Sequence, residues 1–360
     1  MWPDAKLRAQ SLHLWASLGL LWCVAGVWAQ STHATGTQSI ITLKKQAASG
    51  DANAQFKLGS AYSTGGGVTQ DYIQAAAWYR KAAEHGNAFA QVNLGSLYEN
   101  GQGVSQDYAH ALLWYHKAAA QGNAAGQSNL GEMYDNGEGV SQDSAQAAGW
   151  YQKAAEQGFA FAQSKLAHLY EDGRGIQKNE VQAEAWYREA AGQGDADAQG
   201  QLGMMYQIGL PIAEDYSQAA PKDYKQAVYW YRKAAEQGDA VGEFSLGNMY
   251  EEGSGIAKDY TQAALWYQKA ADQDYPAAQW YLGRLYEDGA GVPQDYSEAY
   301  FWLSLASANV SSSDGAKFLS DRMLEDRDRV ASKLTKSVLL ETQARVRRWS
   351  KSHHGLNSQQ

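Results

Sequence analysis

Two kinds of short motif in this chain contain residue types that could carry chemistry. Glycine-rich turns such as Gly65-Gly66-Gly67 have the composition of loops that cradle phosphate groups. Acidic or amide pairs precede these turns, where they could bind a cation or form an acidic ridge for a basic partner. The pairs are Glu99-Asn100, Asp135-Asn136, Glu171-Asp172, Glu251-Glu252 and Glu287-Asp288. A third possibility for these pairs is turn chemistry and solubility alone.

The glycine-rich turn recurs about every thirty-six residues, and this repetition favours an architectural role. A phosphate-binding loop should follow a strand and open a helix, but no strand pattern precedes these turns. Tryptophan marks the same position in seven copies of the repeat: Trp78, Trp114, Trp150, Trp186, Trp230, Trp266 and Trp302. The period therefore predicts tandem structural units rather than a nucleotide site.

Each copy is predicted to contain two helices. The first begins after a residue such as Asp51, which can accept hydrogen bonds from free helix amides, and it ends at the Gly-x-Gly turn. The second begins at Asp71 or its equivalents and ends before Gly86. A glycine inside the first helix, such as Gly59, predicts a close approach of a neighbouring helix. A single pair of helices cannot bury both of its apolar stripes, so the copies are expected to stack on one another.

The repeated patterns Ala-x-Ala-Gln-x-x-Leu-Gly-x-x-Tyr, Gly-x-Gly-Val-x-Gln-Asp-Tyr and Trp-Tyr-x-Lys-Ala-Ala resemble the Sel-one-like repeat family, a relative of the tetratricopeptide repeats. The resemblance covers seven copies over residues 51–309. It implies an all-α fold, a right-handed α/α superhelical solenoid of helix–turn–helix repeats, and a role in holding proteins together.

The flanking segments complete the predicted domain organisation. Residues 1–29 have the pattern of a secretory signal peptide cleaved after Ala29, with an uncleaved membrane anchor as the alternative. Residues 30–50 are predicted to form an N-terminal cap helix, residues 310–350 C-terminal capping helices, and residues 351–360 a disordered tail. An insertion in the fifth repeat, Glu214 to Ala227, is either a tolerated surface loop or a partner-specific one.

Charge and cysteine content limit the possible functions. The chain has 30 basic and 39 acidic residues, a net charge of −9, which disfavours nucleic acid and suits a basic partner or solubility. Cys23 is its only cysteine and lies in the predicted signal segment, so the mature chain would have no disulfide or thiol nucleophile. The basic end around Arg347 is either a solvated cap or a contact for an anionic membrane or partner.

One face of the first helices varies between copies while the packing positions hardly change. Tetratricopeptide relatives use the equivalent face to line a concave groove, although an unconstrained solvent face would vary in the same way. The aromatic residues there are expected to be exposed, and exposed aromatic side chains indicate a binding surface. The predicted partner-binding residues are Phe56, Ser60, Phe89, Ser96, Glu132, Phe161, His168, Met204, Phe244, Asn248, Trp280 and Arg284.

The leading hypothesis is a non-catalytic interaction scaffold that is periplasmic or secreted and binds a protein or peptide, possibly a basic one, on its concave face. We predict no catalytic residues, metal or cofactor, since none of the familiar catalytic motifs occurs. One alternative is an envelope hydrolase or penicillin-binding-type enzyme, as discussed for some exported relatives whose cysteines this chain lacks. Another is a membrane-anchored signalling regulator. The sequence does not predict the oligomeric state.

Overall fold

The structure, a computed structural model, describes residues 36–209, 222–308 and 314–354. These residues form two compact units, which we call the N-terminal unit (residues 36–195) and the C-terminal unit (residues 196–354). Across those three ranges the secondary structure consists of α-helices with no strand. The all-α repeat solenoid predicted from the sequence is therefore confirmed.

The N-terminal unit holds a cap helix and the first four repeats, each a first helix followed by a second helix. Its helices are α1 (Gly36–Ala48), α2 (Ala52–Thr64), α3 (Tyr72–Glu84), α4 (Ala88–Asn100), α5 (Tyr108–Ala120), α6 (Ala124–Asn136), α7 (Ser144–Glu156), α8 (Ala160–Asp172) and α9 (Glu180–Gly192). Helix α1 packs on α2 in the place that a preceding second helix would take.

The C-terminal unit holds repeats five to seven and the C-terminal cap. Its helices are α10 (Ala196–Ile208), α11 (Tyr224–Glu236), α12 (Ala240–Glu252), α13 (Tyr260–Asp272), α14 (Pro276–Asp288), α15 (Tyr296–Ala308), α16 (Asp314–Ala331) and α17 (Lys336–His354). Helix α17 continues to His354 within the stretch expected to be a tail, and the His353 ring stacks on Trp349 with 4.0 Å between ring centroids.

Local sequence signals set the helix ends as predicted. The Asp51 side chain accepts hydrogen bonds from the amides of Asn53 and Ala54 at the start of α2, and Asp71 caps α3 in the same way. Gly101 ends α4 in the left-handed conformation, with φ of 66°. Local capping residues therefore mark the start of most helices, although Phe159 before α8 and Tyr275 before α14 accept no hydrogen bond from a helix amide.

In five of the seven repeats, a glycine inside the first helix makes room for a tyrosine of the second helix, whereas repeat four has Ala167 there and Gly283 in repeat seven lies against Leu303. A Cβ on Gly95 would lie 2.6 Å from the ring of Tyr115, which is fully buried between the two helices of its repeat. Trp114 on the same second helix packs in one cluster with Tyr79 of the preceding repeat and Leu94 of its own repeat. Tyrosine thus fills the interior of repeats one to six, and tryptophan joins one repeat to the one before it.

A buried glutamine ties adjacent repeats together through its amide. Gln91 donates from Nε2 to the carbonyl oxygen of Ala83 at 3.0 Å, and its Oε1 accepts from Gln121 at 2.8 Å. The same pattern recurs along the chain, with Glu243 replacing the glutamine in repeat six and accepting from Gln273 at 2.8 Å. We call these buried residues the glutamine ladder.

Several of the sequence predictions fall outside the described residues, in whole or in part, including residues 310–313 of the C-terminal cap and residues 355–360 of the tail. The signal segment at residues 1–29 and the start of the cap at residues 30–35 lie outside them. So do residues 214–221 of the insertion, whereas Asp223 within it caps α11 through the amides of Lys225 and Gln226.

Candidate functional site

The surface to be tested lies on the first helices, at the positions of Phe56 and Ser60 and their equivalents in later repeats. We call it the first-helix face and describe it separately in each unit. Beneath it lies the buried tyrosine of the second helix, whose hydroxyl reaches this face. Burial raises the pKa of Tyr115 and Tyr151 well above the ordinary value for a phenol, so both hydroxyls keep their protons.

In the N-terminal unit the varying residues of this face surround the tyrosine hydroxyls. Ser60 lies within hydrogen-bond reach of Tyr79, and His168 Nδ1 lies 2.7 Å from the hydroxyl of Tyr187. Burial raises the pKa of Tyr115 most, the charge and hydrogen bond of Glu99 raise it further, and the charge of Glu132 makes a smaller addition. The repeats of this unit therefore present a constant phenol on a face whose varying position holds serine, glutamate or histidine.

Two of the predicted residues on the N-terminal unit have local partners. Ser96 accepts a long hydrogen bond of 3.4 Å from Asn100 within helix α4. Phe161 is half-buried, and Lys165 Nζ lies 5.1 Å from its ring centroid. Both residues remain partly accessible at the surface.

In the C-terminal unit the face is more aromatic. The hydroxyl of Tyr267 donates to Asn248 Oδ1 at 2.5 Å, while the Arg284 guanidinium lies 5.7 Å from the ring centroid of Tyr281. Met204 packs against the repeat-five core around Tyr231. This unit presents an arginine beside aromatic rings at a position where the N-terminal unit has serine, glutamate or histidine.

The prediction that the aromatic residues of the face are exposed is wrong for most of them. Phe89 is 60% exposed, whereas Phe56 is half-buried between Tyr79 and Phe89. Phe244 is 8% exposed because the rings of Tyr267, Tyr275 and Tyr281 enclose it. Packing against neighbouring rings therefore buries much of the surface of the aromatic side chains at this position.

Trp280 is also buried, and the chain's own cap is the reason. Its exposed fraction is 7%, and its indole Nε1 donates to Asp326 Oδ2 on α16 at 2.7 Å. Arg329 on the same cap helix pairs with Glu287 and with Asp326. Lys333 adds a third ion pair, 3.0 Å from Glu287. Trp280 therefore anchors the cap in this structure rather than forming an open site.

The acidic residues before the Gly-x-Gly turns have a structural role that the sequence analysis missed. Glu171 accepts from Tyr187, and Glu251 accepts from Tyr267, each with 2.7 Å between the oxygens. Asp135 instead pairs with Arg174 of the next repeat at 3.0 Å. These acids therefore accept hydrogen bonds from buried hydroxyls and pair with neighbouring cations, a role that is not among the three possibilities raised from the sequence.

The sequence does not single out the tyrosine–acid pair. The acid precedes the turn in four of the six repeats that have tyrosine after tryptophan, with Ser63 and Gln207 at that position in the other two. Repeat seven keeps the acid, Glu287, although Leu303 takes the place of the tyrosine, and there Glu287 binds the cap instead. The pair is therefore evident only from the structure.

The described helices give no sign of a metal centre or a membrane span. No group of three His, Cys, Asp or Glu side chains among the described residues is placed to hold a metal ion. Within the same ranges, no helix has both the length and the apolar character required to cross a bilayer.

Comparison with family models decides the family. The model for the Sel1 repeat matches residues 52–87, 88–123, 124–159, 160–195, 196–239, 240–275 and 276–310. The chain belongs to the Sel1 repeat family. Proteins of this family are typically non-catalytic scaffolds for protein–protein interaction. The matched boundaries fall at the junctions between the helix pairs.

Comparison with solved structures finds a Sel1 repeat protein among the chains that are similar to this one. A Sel1 repeat protein from Oxalobacter formigenes is 32% identical, with a TM-score of 0.62, covering 74% of this chain and 99% of its own. A protective antigen of uropathogenic Escherichia coli displaying an SLR fold is 29% identical, with a TM-score of 0.49, covering 99% and 96%. An immunity protein from Pseudomonas aeruginosa is 23% identical, with a TM-score of 0.40, covering 61% and 81%. The comparison with curated proteins found no match.

Proposed function

We propose that this Sel1 repeat protein is a non-catalytic scaffold that holds a protein or peptide segment on its first-helix face, the concave face expected from the sequence. One observation carries the proposal. Each tyrosine hydroxyl is held in the same frame, while the neighbouring surface residue changes from serine to glutamate to histidine. A fixed frame with varied contacts can recognise an extended partner residue by residue.

On the N-terminal unit the electrostatics favour a basic segment. Burial, together with repulsion from Glu132 and Glu138, raises the pKa of Glu99 to about 7 although Tyr115 donates to it. A lysine or arginine from a partner would relieve this repulsion and favour the ionised form of Glu99. The net charge of −9 would also attract a basic partner over longer distances.

Phe89 would supply the apolar part of the contact. It is 60% exposed at the start of α4, and its ring lies 6.0 Å from that of Phe56. Exposed aromatic side chains that rest on a rigid helix are frequent anchors in protein interfaces. Of the predicted contacts, Ser60, Ser96, Glu132, Phe161 and His168 complete the proposed surface on this unit.

On the C-terminal unit the proposed contacts are Met204, Asn248 and Arg284. Phe244 and Trp280 would contribute as buried supports, because packing leaves each less than 10% exposed. Arg284 lies 5.5 Å from the ring centroid of Trp280, so the indole holds the guanidinium that a partner would meet. We place the protein in the periplasm or outside the cell on the strength of the signal-like sequence of residues 1–29.

Affinity capture with matched variants tests this function. The mature protein, immobilised and exposed to extract from its own cells, should retain a defined protein that is lost with Glu132→Gln or Phe89→Ala. Glu156→Gln removes the same charge from an exposed position on a second helix and should retain it. Equal capture by all three variants would show that the first-helix face is not the binding surface.

A further inference from the structure

A cleft lies within the C-terminal cap, away from the first-helix face. Helices α16 and α17 both pack on α15 but hardly touch each other. The space between them has a volume of about 230 Å³, well above the roughly 10–15 Å³ that one water needs. It is lined by Tyr300, Ser304, Arg327, Gln343, Val346 and Arg347.

Two guanidinium groups from different helices border this cleft. Arg347 on α17 is exposed and has no ion pair or hydrogen bond within the described ranges. Arg327 on α16 donates from Nε and Nη2 to Asp328 Oδ1, which leaves its Nη1 group for another acceptor. The Asp328 side chain is 67% exposed, so solvent screens the negative charge at this rim.

The hydroxyl groups of the cleft also have unused hydrogen-bonding capacity. Ser304 Oγ is buried and has no partner among the residues that the structure describes. Tyr300 accepts a hydrogen bond of 3.2 Å from Gln343 Nε2, and no acceptor for its own proton is found in the same part of the chain. Buried polar groups are nearly always paired, so an unpaired hydroxyl beside a cavity calls for a ligand or water.

We infer that this cleft binds a phosphate group. The donors come from three helices: guanidinium groups on α16 and α17, and the Tyr300 hydroxyl on α15, with Ser304 beneath it. These donor groups outnumber the two oxygens of a carboxylate. They match the larger number of acceptor oxygens on a tetrahedral oxyanion such as phosphate. The phosphate could be a free inorganic ion or the headgroup of an anionic phospholipid, since both present the same oxygens.

The groups that would oppose binding are few and identifiable. Glu298 on α15 is already paired with Arg345, and Asp328 is paired with Arg327. Residues 320–354 include nine basic and five acidic residues, so this cap has a net positive charge while the chain as a whole carries −9. The local field therefore attracts an anion to a protein that otherwise repels it.

Titration of the full-length protein with inorganic phosphate, followed by calorimetry at constant ionic strength, tests the inference. The wild type should bind phosphate saturably, and chloride should not compete. Arg347→Gln should weaken binding about tenfold or more, because it removes charge-assisted hydrogen bonds. Arg348→Gln removes the same charge from the neighbouring exposed position outside the cleft and should leave binding unchanged.

Vesicles distinguish the two phosphate sources. Binding to phosphatidylglycerol vesicles but not phosphatidylcholine vesicles, lost with Arg347→Gln and kept with Arg348→Gln, would identify a lipid headgroup as the ligand. Binding of inorganic phosphate alone with that dependence would identify the free ion. No binding of either probe, or equal weakening by the two variants, would overturn the inference, and circular dichroism would verify that both variants are folded.

Discussion

The hydroxyl of Tyr115 donates a hydrogen bond to Glu99, with 2.5 Å between the two oxygens. The tyrosine is fully buried in the second helix of its repeat, and the glutamate is half-buried at the end of the first helix. Related pairs join Tyr187 to Glu171 and Tyr267 to Glu251. This bond links the constant interior of a repeat to its variable face.

Removing the Tyr115 hydroxyl should destabilise the protein. Tyr115→Phe keeps the ring but leaves Glu99 without its donor, so we expect the free energy of unfolding to fall by about 1–3 kcal/mol. Chemical denaturation measures the change. Tyr151→Phe is the control, because the Tyr151 hydroxyl has no acceptor among the described residues, and it should cost about 0.5 kcal/mol or less. Equal losses would show that the hydrogen bond contributes nothing beyond packing.

The second glycine of the Gly-x-Gly turn should tolerate no side chain. Gly103 has φ of 68°, and a Cβ there would lie 2.2 Å from the backbone carbonyl of Tyr72 in the preceding repeat. Gly122 has a similar φ of 79° but nothing within 4 Å, so it isolates the cost of conformation alone. Gly103→Ala should therefore lower the free energy of unfolding by about 1–3 kcal/mol more than Gly122→Ala. Similar losses would mean that the repeats can move apart.

The sequence predicts what is local and periodic. Asp51 predicts a helix start and Gly101 a helix end from their own side-chain and backbone properties. Gly59 predicts a close approach of another helix, but not that the ring of Tyr79 makes it. The tight approach of Gly103 to Tyr72 depends on how one repeat stacks on the next. A single repeat does not contain that information.

The candidate site was less predictable because its exposure depends on distant residues. Trp280 shares its position with Phe56, but its burial results from Asp326, forty-six residues further along the chain. Phe244 is buried by Tyr267 on α13, by Tyr281 on α14 and by Tyr275 between those two helices. The sequence shows that a surface position varies between repeats, but it does not show which other residue of the chain packs on that position.

The glutamine ladder predicts a pH-sensitive junction at Glu243. Burial raises its pKa to about 7, with Lys269 and Gln273 opposing the shift and Asp239 and Asp272 adding to it. A protonated Glu243 can donate a hydrogen bond as the glutamines do, but an ionised one has no proton to give. Its folded pKa exceeds the ordinary 4.5, so the stability it contributes is full below pH 4.5 and is lost as the pH rises through 7.

Glu243→Gln should therefore stabilise the protein by about 1–3 kcal/mol at pH 8 and have little effect at pH 5, as measured by denaturation at both pH values. The converse change, Gln163→Glu, places a carboxylate at the equivalent position of the glutamine ladder. It should cause a pH-dependent loss of free energy of unfolding. A benefit of Glu243→Gln that is the same at both pH values would contradict this account.

The cap should respond to pH in the opposite sense. Hydrogen bonding from Arg329 lowers the pKa of the buried Glu287, so the stability from this pair is present above pH 4.5 and is lost as the pH falls through the folded pKa. Arg329→Met leaves Glu287 and Asp326 short of a cation and should cost about 1–3 kcal/mol at pH 7, the half-exposed arginine keeping the figure modest.

The cost of Arg329→Met should shrink when the free energy of unfolding is measured below pH 4. Arg322→Met changes an exposed arginine with no ion pair in the described part of the cap, and it should be nearly neutral. If Arg329→Met is equally neutral at pH 7, the ion pairs do not hold the cap.

The most direct test of the scaffold proposal is site-specific photo-crosslinking in the cells that make this protein. A photoreactive residue at Ser96 or Glu132 samples the first-helix face, and one at Gly149 or Ala185 samples exposed positions on second helices. The account predicts that the first two positions crosslink to the same partner protein and that the second two do not. Crosslinks confined to Gly149 and Ala185 would contradict it.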